Sequence, residues 1–146
     1  MQIRRLNEGV VVKGTGLQGI DIDMNATPDA LPAMAVAGCF ASGTTRLLNV
    51  PQARIKECDR IAAMAIELSK MGADIEELED GLVIRQSRLN GTEVHGYDDH
   101  RIVMSLSVAG LAAEGETIVD TAESASVTFP TFVEDMKMMG ARFEMI

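Results

Sequence analysis

Seven consecutive residues, Glu67-Leu68-Ser69-Lys70-Met71-Gly72-Ala73, return as Asp135-Met136-Lys137-Met138-Met139-Gly140-Ala141, 68 positions later. A chain that repeats at such a period folds as copies of one supersecondary unit, each burying an apolar face against its neighbour. Upstream, Gly43-Thr44-Thr45-Arg46-Leu47 matches Gly115-Glu116-Thr117-Ile118-Val119 at an offset of 72, and 29–34 matches 99–104 at an offset of 70. Small loop insertions account for the drift. The N-terminus joins the pattern: Ile3, Leu6, Gly9 and Val11 match Ile75, Leu78, Gly81 and Val83, again 72 apart. The chain is therefore expected to open on the closing hairpin of an earlier copy, and to be a fragment of a longer repeat protein.

Each copy reads as helix, strand, helix, strand. The first helices, about 30–42 and 99–113, are apolar nearly all round, as a helix inside a domain must be. A second helix is expected over 56–71, with Ile61, Met64, Ala65, Leu68 and Met71 on its inner face and Glu67, Ser69 and Lys70 outside. Gly72 and Gly140 fall where a helix C-terminal glycine belongs. Two short apolar runs flanking Asp80-Gly81 predict a hairpin. The ten methionines lie mostly at helical core spacing and read as packing.

At 146 residues, 47% of them apolar, the chain can bury a real core. Its net charge of −9 argues against nucleic acid or anionic membrane as partner, since both call for broad basic surfaces. The longest nearly apolar run, 102–113, is too short for a membrane span. Met1-Gln2-Ile3-Arg4-Arg5 offers no apolar export signal. Cys39 and Cys58 lack metal-ligand spacing and are expected to be reduced thiols in a cytoplasmic protein.

Three clusters carry possible chemistry. Lys56-Glu57-Cys58-Asp59-Arg60 sets two cations at the start of a helix, where the macrodipole disfavours them unless an anion is present. In a helix Lys56 and Arg60 share a face and Glu57 lies three residues from Arg60; a solvated first turn with a Glu57–Arg60 pair is the plainer alternative. Tyr97-Asp98-Asp99-His100-Arg101 places a His and an Arg at the threshold of an apolar helix, where they turn out to water or face a cleft. Arg suits bidentate binding of carboxylate or phosphate, and Asp98 or Asp99 could equally be an N-cap. A metal site from His95, Asp98 and His100 fits no standard spacing. The third cluster, Asp23-Met24-Asn25-Ala26-Thr27-Pro28-Asp29, precedes the other buried helix. There Asp29 is a first-turn acid or N-cap by default and a general base by function.

Taken in order, Asp21-Ile22-Asp23-Met24-Asn25 through Pro28-Asp29, Gly43-Thr44-Thr45-Arg46-Leu47, Arg54-Ile55-Lys56-Glu57-Cys58-Asp59-Arg60, Tyr97-Asp98-Asp99-His100-Arg101 and Thr128-Phe129-Pro130 resemble the C-terminal part of the 5-enolpyruvylshikimate-3-phosphate synthase family. The resemblance implies an α+β fold of β-α-β-α-β-β units with buried helices and outer sheets, an alpha-beta prism. Here there would be two units, 19–88 and 89–146, after a repeat tail over 1–18. Together 1–146 would form a single domain, part of the C-terminal domain of a two-domain enzyme whose N-terminal domain is the partner in cis.

The reaction implied moves the enolpyruvyl group of phosphoenolpyruvate to the 5-hydroxyl of shikimate 3-phosphate and needs no metal or organic cofactor. By resemblance Asp29 holds that hydroxyl as its base, and Glu57 handles the proton at the methylene carbon. Gln52 and Lys56 touch shikimate 3-phosphate, while Arg60 and Arg101 grip phosphoenolpyruvate. Where many members carry a lysine this chain has Val127, so no third phosphoenolpyruvate cation is assigned. Two rivals stand beside this reading: a related transferase acting on a UDP-amino sugar, and a non-catalytic anion-binding repeat domain. The fragment alone is expected to be inactive.

Overall fold

A computed structural model describes residues 2–14 and 16–146. Met1 and Thr15, both inside the expected repeat tail, lie outside the described residues. The chain opens on an antiparallel hairpin, β1 (Gln2–Leu6) and β2 (Gly9–Lys13). The first full copy runs β3 (Asp21–Asp23), α1 (Leu31–Phe40), β4 (Thr44–Leu48), α2 (Arg60–Lys70), β5 (Asp74–Leu78) and β6 (Gly81–Arg85). Its sheet has the order β3-β4-β6-β5, with β3 parallel to β4 and the other pairs antiparallel. The second copy runs β7 (Glu93–Val94), α3 (His100–Leu111), β8 (Ile118–Val119) and α4 (Phe132–Met138). Residues 142–146 follow without regular structure, so the second copy shows no closing hairpin among the described residues.

The repeat holds at the level of hydrogen bonding. Asp21 pairs with Arg46 and Ile22 with Leu47; 72 residues later Glu93 pairs with Ile118 and Val94 with Val119. The isolated bridges Gln18–Ser42 and Asn90–Glu114 obey the same offset. So do the registers of β1–β2 and β5–β6, in which Ile3 faces Val12 as Ile75 faces Ile84.

Helix α1 is mostly buried, as its apolar circumference requires, whereas α3 buries six of its 12 residues and leaves Val108 and Leu111 exposed; both pack with α2 around Leu31, Met64, Leu68, Ile102 and Leu106. Two expectations for α2 are corrected. The helix begins at Arg60 rather than Lys56, because the Asp59 carboxylate caps it by accepting from the Ala62 amide at 3.0 Å. The segment before it cannot wind into the helix: Arg54 anchors it to the β5–β6 turn by donating to the carbonyls of Leu78 (2.6 Å) and Glu79 (2.7 Å) and pairing with Asp59 (2.8 Å). Glu67, expected on the wet face, is buried, while Ile66 is 48% exposed. After α2 and α4 the chain turns through Gly72 (φ 92°) and Gly140 (φ 99°), the left-handed conformation expected of helix-ending glycines.

The hairpin turn is Glu79-Asp80, one residue earlier than expected, and Gly81 opens β6. A Cβ there would lie 1.9 Å from the Leu47 carbonyl oxygen, whereas a Cβ on Gly9, its counterpart in β2, would meet nothing within 4 Å. Gly81→Ala should therefore cost about 1 to 3 kcal/mol or more of stability in urea unfolding. Gly9→Ala should stay within about 0.5 kcal/mol. Equal losses at the two sites would refute the packing difference.

Candidate active site

Arg60 occupies the first position of α2, where a cation meets the positive helix end, yet it is only 1% exposed. Its guanidinium reaches acids from three other places in the chain. Nε donates to Asp99 Oδ2 at 2.8 Å and Nη2 to Asp99 Oδ1 at 3.3 Å. Nη2 also donates to Glu57 Oε2 at 2.7 Å, and Nη1 to Asp29 Oδ1 at 2.9 Å. The anion that offsets this buried cation is thus supplied by the protein itself. Charge pairing of this kind is what makes a buried Arg tolerable.

Asp99, fully buried, does a second job. It is the N-cap of α3, accepting from the amides of Arg101 (2.8 Å) and Ile102 (3.4 Å). Burial pushes its carboxyl up, but Arg60 and those amides outweigh burial and hold it below the usual carboxylate range. The Cys58 thiol donates to the same carboxylate at 3.6 Å; burial and the Asp99 charge push it up to about 12, so it stays protonated.

Asp29 lies in the 3₁₀ turn Pro28–Ala30 that leads into α1, and its carboxylate faces three cations. Besides Arg60 these are Lys56, with Nζ 3.4 Å from Oδ1, and Arg101, with Nη2 3.2 Å from Oδ2. Burial works to raise its carboxyl, yet Arg101, Lys56 and Arg60 together hold it below its usual range. Lys56, Glu57, Asp29 and Arg101 are all part-exposed around the buried Arg60. Five of the six expected site residues are therefore linked through one charge cluster. The sixth, Gln52, donates to the Asn25 carbonyl at 3.0 Å on the loop ahead of Asp29. Val127 is exposed and brings no charge. His100 turns inward and is buried, its Nε2 without a partner among the described residues.

The loop delivering Asp99 and Arg101 is held in an uncommon conformation. Tyr97 (φ 58°) and Asp98 (φ 52°) are successive left-handed residues that are not glycine. A second polar cluster fixes them. Buried Glu67 accepts from the Tyr97 hydroxyl (3.0 Å), the His95 amide (3.0 Å) and Lys70 (2.8 Å). Asp120 accepts from the Gly96 amide at 2.7 Å and pairs with His95 Nδ1 at 2.6 Å. Glu67 and Asp120 were not legible as supports, but one signal was available: Arg60 and Glu67, seven apart, fall on the same helical stripe as Ala63 and Met64.

Asp99→Asn keeps a cap but removes the charge facing Arg60. It should cost about 3 to 5 kcal/mol, the usual loss when a buried ion pair is broken. Because the folded-state carboxyls of Asp99 and Asp29 lie below their unfolded value of about 3.9, their pairing stabilises fully above that pH and is lost as pH falls through the folded values. Urea unfolding of wild type at neutral and acid pH should show that decline, and D99N a shallower one. A D99N loss under about 1 kcal/mol with an unchanged acid slope would contradict the assignment.

This arrangement of copies occurs in known structures. The enolpyruvyl transferase NikO from Streptomyces tendae superposes with a TM-score of 0.70 over 88% of this chain and 29% of its own, at 20% identity, a likeness of fold alone. An EPSP synthase from Acinetobacter baumannii superposes with a TM-score of 0.81 at 35% identity, covering 88% of this chain and 32% of its own. The family model for EPSP synthase (3-phosphoshikimate 1-carboxyvinyltransferase) matches residues 1–136, and the chain belongs to that family. Relatives named 3-phosphoshikimate 1-carboxyvinyltransferase include those of Acetivibrio thermocellus, 67% identical over 92% of this chain and 32% of its own, and Ruminiclostridium cellulolyticum, 61% identical over 99% and 34%. The chain spans about a third of the length of these relatives. Among the described residues no helix is long and apolar enough to cross a membrane.

Proposed function

We propose that this chain forms one side of the active site of a cytoplasmic two-domain transferase, as part of its C-terminal domain. The enzyme moves the enolpyruvyl group of phosphoenolpyruvate to the 5-hydroxyl of shikimate 3-phosphate and releases phosphate. The observation that carries this reading is the convergence of Lys56, Arg60 and Arg101 on Asp29, beside Glu57, in a chain of the EPSP synthase family.

The chemistry asks for these groups. Protonation of the methylene carbon of phosphoenolpyruvate makes its C2 electrophilic, and Glu57 stands as the proton carrier. The 5-hydroxyl attacks C2 and gives its proton to Asp29. The bond from C2 to the phosphate oxygen then breaks, phosphate leaves with the bonding electrons, and Glu57 takes back a proton from the new methyl group to restore the double bond. Arg101 meets the phosphoenolpyruvate anion, while Lys56 and Gln52 serve shikimate 3-phosphate.

Without a substrate the three cations and the acids Asp29, Glu57 and Asp99 balance, and Asp29 is a weak base. An incoming polyanion competes with Asp29 for Lys56 and Arg101, which raises the basicity of Asp29 as the hydroxyl arrives. Arg60 is buried and already donates to Asp99, Glu57 and Asp29, so a substrate anion that meets it competes with Asp29 or Glu57 for its guanidinium.

A chimaera in which these 146 residues replace the matching third of the Acetivibrio thermocellus relative tests the reading. It should release phosphate from phosphoenolpyruvate only when shikimate 3-phosphate is present, while the 146-residue chain alone should not. Asp29→Asn in the chimaera should lower kcat by about 10² to 10⁴. A folded chimaera without turnover, or an Asp29→Asn form at full rate, would overturn the proposal.

A further inference from the structure

Helix α2 grips the loop ahead of α3 at two points. Arg60 and Glu67 lie two turns apart, about 10.5 Å along the axis, and both are buried, with Ala63 and Met64 on the stripe between them. Arg60 holds Asp99, at the end of the loop. Glu67 holds its beginning: Oε2 accepts from the His95 amide and Oε1 from the Tyr97 hydroxyl, both at 3.0 Å. The charge cluster around Asp29 makes no use of Glu67, so the burial of this acid needs another account.

The turn between the two grips supplies it. The Asp99 amide donates to the Gly96 carbonyl at 3.0 Å across Tyr97 and Asp98, both left-handed, which is the type I′ pattern. Gly, Asn and Asp suit its central positions. A tyrosine does not, and such a conformation persists only where its surroundings hold it. The turn also meets the 120–121 segment: a Cβ on Gly96 would lie 2.4 Å from Thr121 Oγ1, and the Asp98 amide donates to that same oxygen at 3.2 Å. Glu67 adds the hold from α2, through the one side chain that is out of place in the turn. Burial and the Glu67 charge push the Tyr97 hydroxyl up to about 12, so it stays a donor. Arg101 follows the turn closely, and its own amide is fixed on Asp99.

We propose that Glu67, acting through Tyr97, is a positioning residue for Arg101 and so sets how firmly the enzyme holds phosphoenolpyruvate. It touches no substrate itself. With the loop tied at both Glu67 and Arg60, the start of α3 is fixed and the Arg101 guanidinium stays 3.2 Å from Asp29. With the acceptors of Glu67 gone, Asp99 alone ties the loop to α2, the turn relaxes, and Arg101 is less well prepared for its anion. A full negative charge is not required. A glutamine can accept from the His95 amide with its oxygen and donate to the Tyr97 hydroxyl with its NH2, and Lys70, the remaining partner, is 47% exposed. The inference rests on the proposed activity.

Steady-state kinetics of the chimaera with the Acetivibrio thermocellus relative test it. Tyr97→Phe should raise KM for phosphoenolpyruvate about five-fold and Glu67→Met about ten-fold or more, with KM for shikimate 3-phosphate within about two-fold and kcat within about three-fold. Glu67→Gln should stay within about two-fold of the parent in every constant. In an Arg101→Ala background Glu67→Met should raise KM for phosphoenolpyruvate no further, which a general loss of structure would not reproduce. Amide hydrogen exchange separates the claim from the activity: at His95, Arg101 and Ile102 of the chimaera it should quicken about ten-fold in Glu67→Met and not in Glu67→Gln. Unchanged exchange at those amides, an unchanged KM for phosphoenolpyruvate in both Tyr97→Phe and Glu67→Met, or equal rises for both substrates would overturn the proposal. A parent chimaera that folds without turnover overturns the activity instead, and the exchange result still decides the place of Glu67.

Discussion

A guanidinium removed from water needs its charge answered within hydrogen-bonding distance, and the rest of this site follows from how Arg60 meets that demand. Its three carboxylate partners come from the turn before α1, the irregular segment before α2 and the N-cap of α3. One side chain thus ties together the starts of three helices that also share the core. Because Asp99 caps α3 as well as binding Arg60, the direction of α3 and the position of Arg101 depend on the same carboxylate. Arg101 and Lys56 then close on Asp29 from the open side.

The repeat explains how two helix starts come to face each other. Asp29 precedes α1 and Asp99 precedes α3 at equivalent points of successive copies, so a structure that stacks the copies brings both acids to one region. The two acids differ in role. Asp29 is part-exposed and meets three cations, while Asp99 is buried and caps α3.

Much of this was legible in the sequence because it rests on spacing. The offset of 72 marks the copies and the hairpins, the offset of 68 marks the glycines after α2 and α4, and the apolar circumference of 30–42 and 99–113 marks the two helices that enter the core. The misplaced features depend on single tertiary contacts. Lys56 has helical spacing to Arg60, but the Asp59 cap and the Arg54 anchor decide where α2 starts. The charge of Glu67 points to water, yet Lys70, Tyr97 and the His95 amide, two of them from a distant loop, make its burial possible. Asp99 could be read as a cap from its position; its bond to Arg60 joins residues 39 apart, which no local pattern encodes.

The dependence of the site on Arg60 can be measured through a double-mutant cycle with Arg60→Met and Asp99→Asn, each variant unfolded in urea at neutral pH. If this buried pair organises the helix starts, the two substitutions should be strongly non-additive, with a coupling energy of about 2 to 3 kcal/mol. A coupling within about 0.5 kcal/mol of zero would show that Arg60 and Asp99 act independently and would contradict the central place given to their contact.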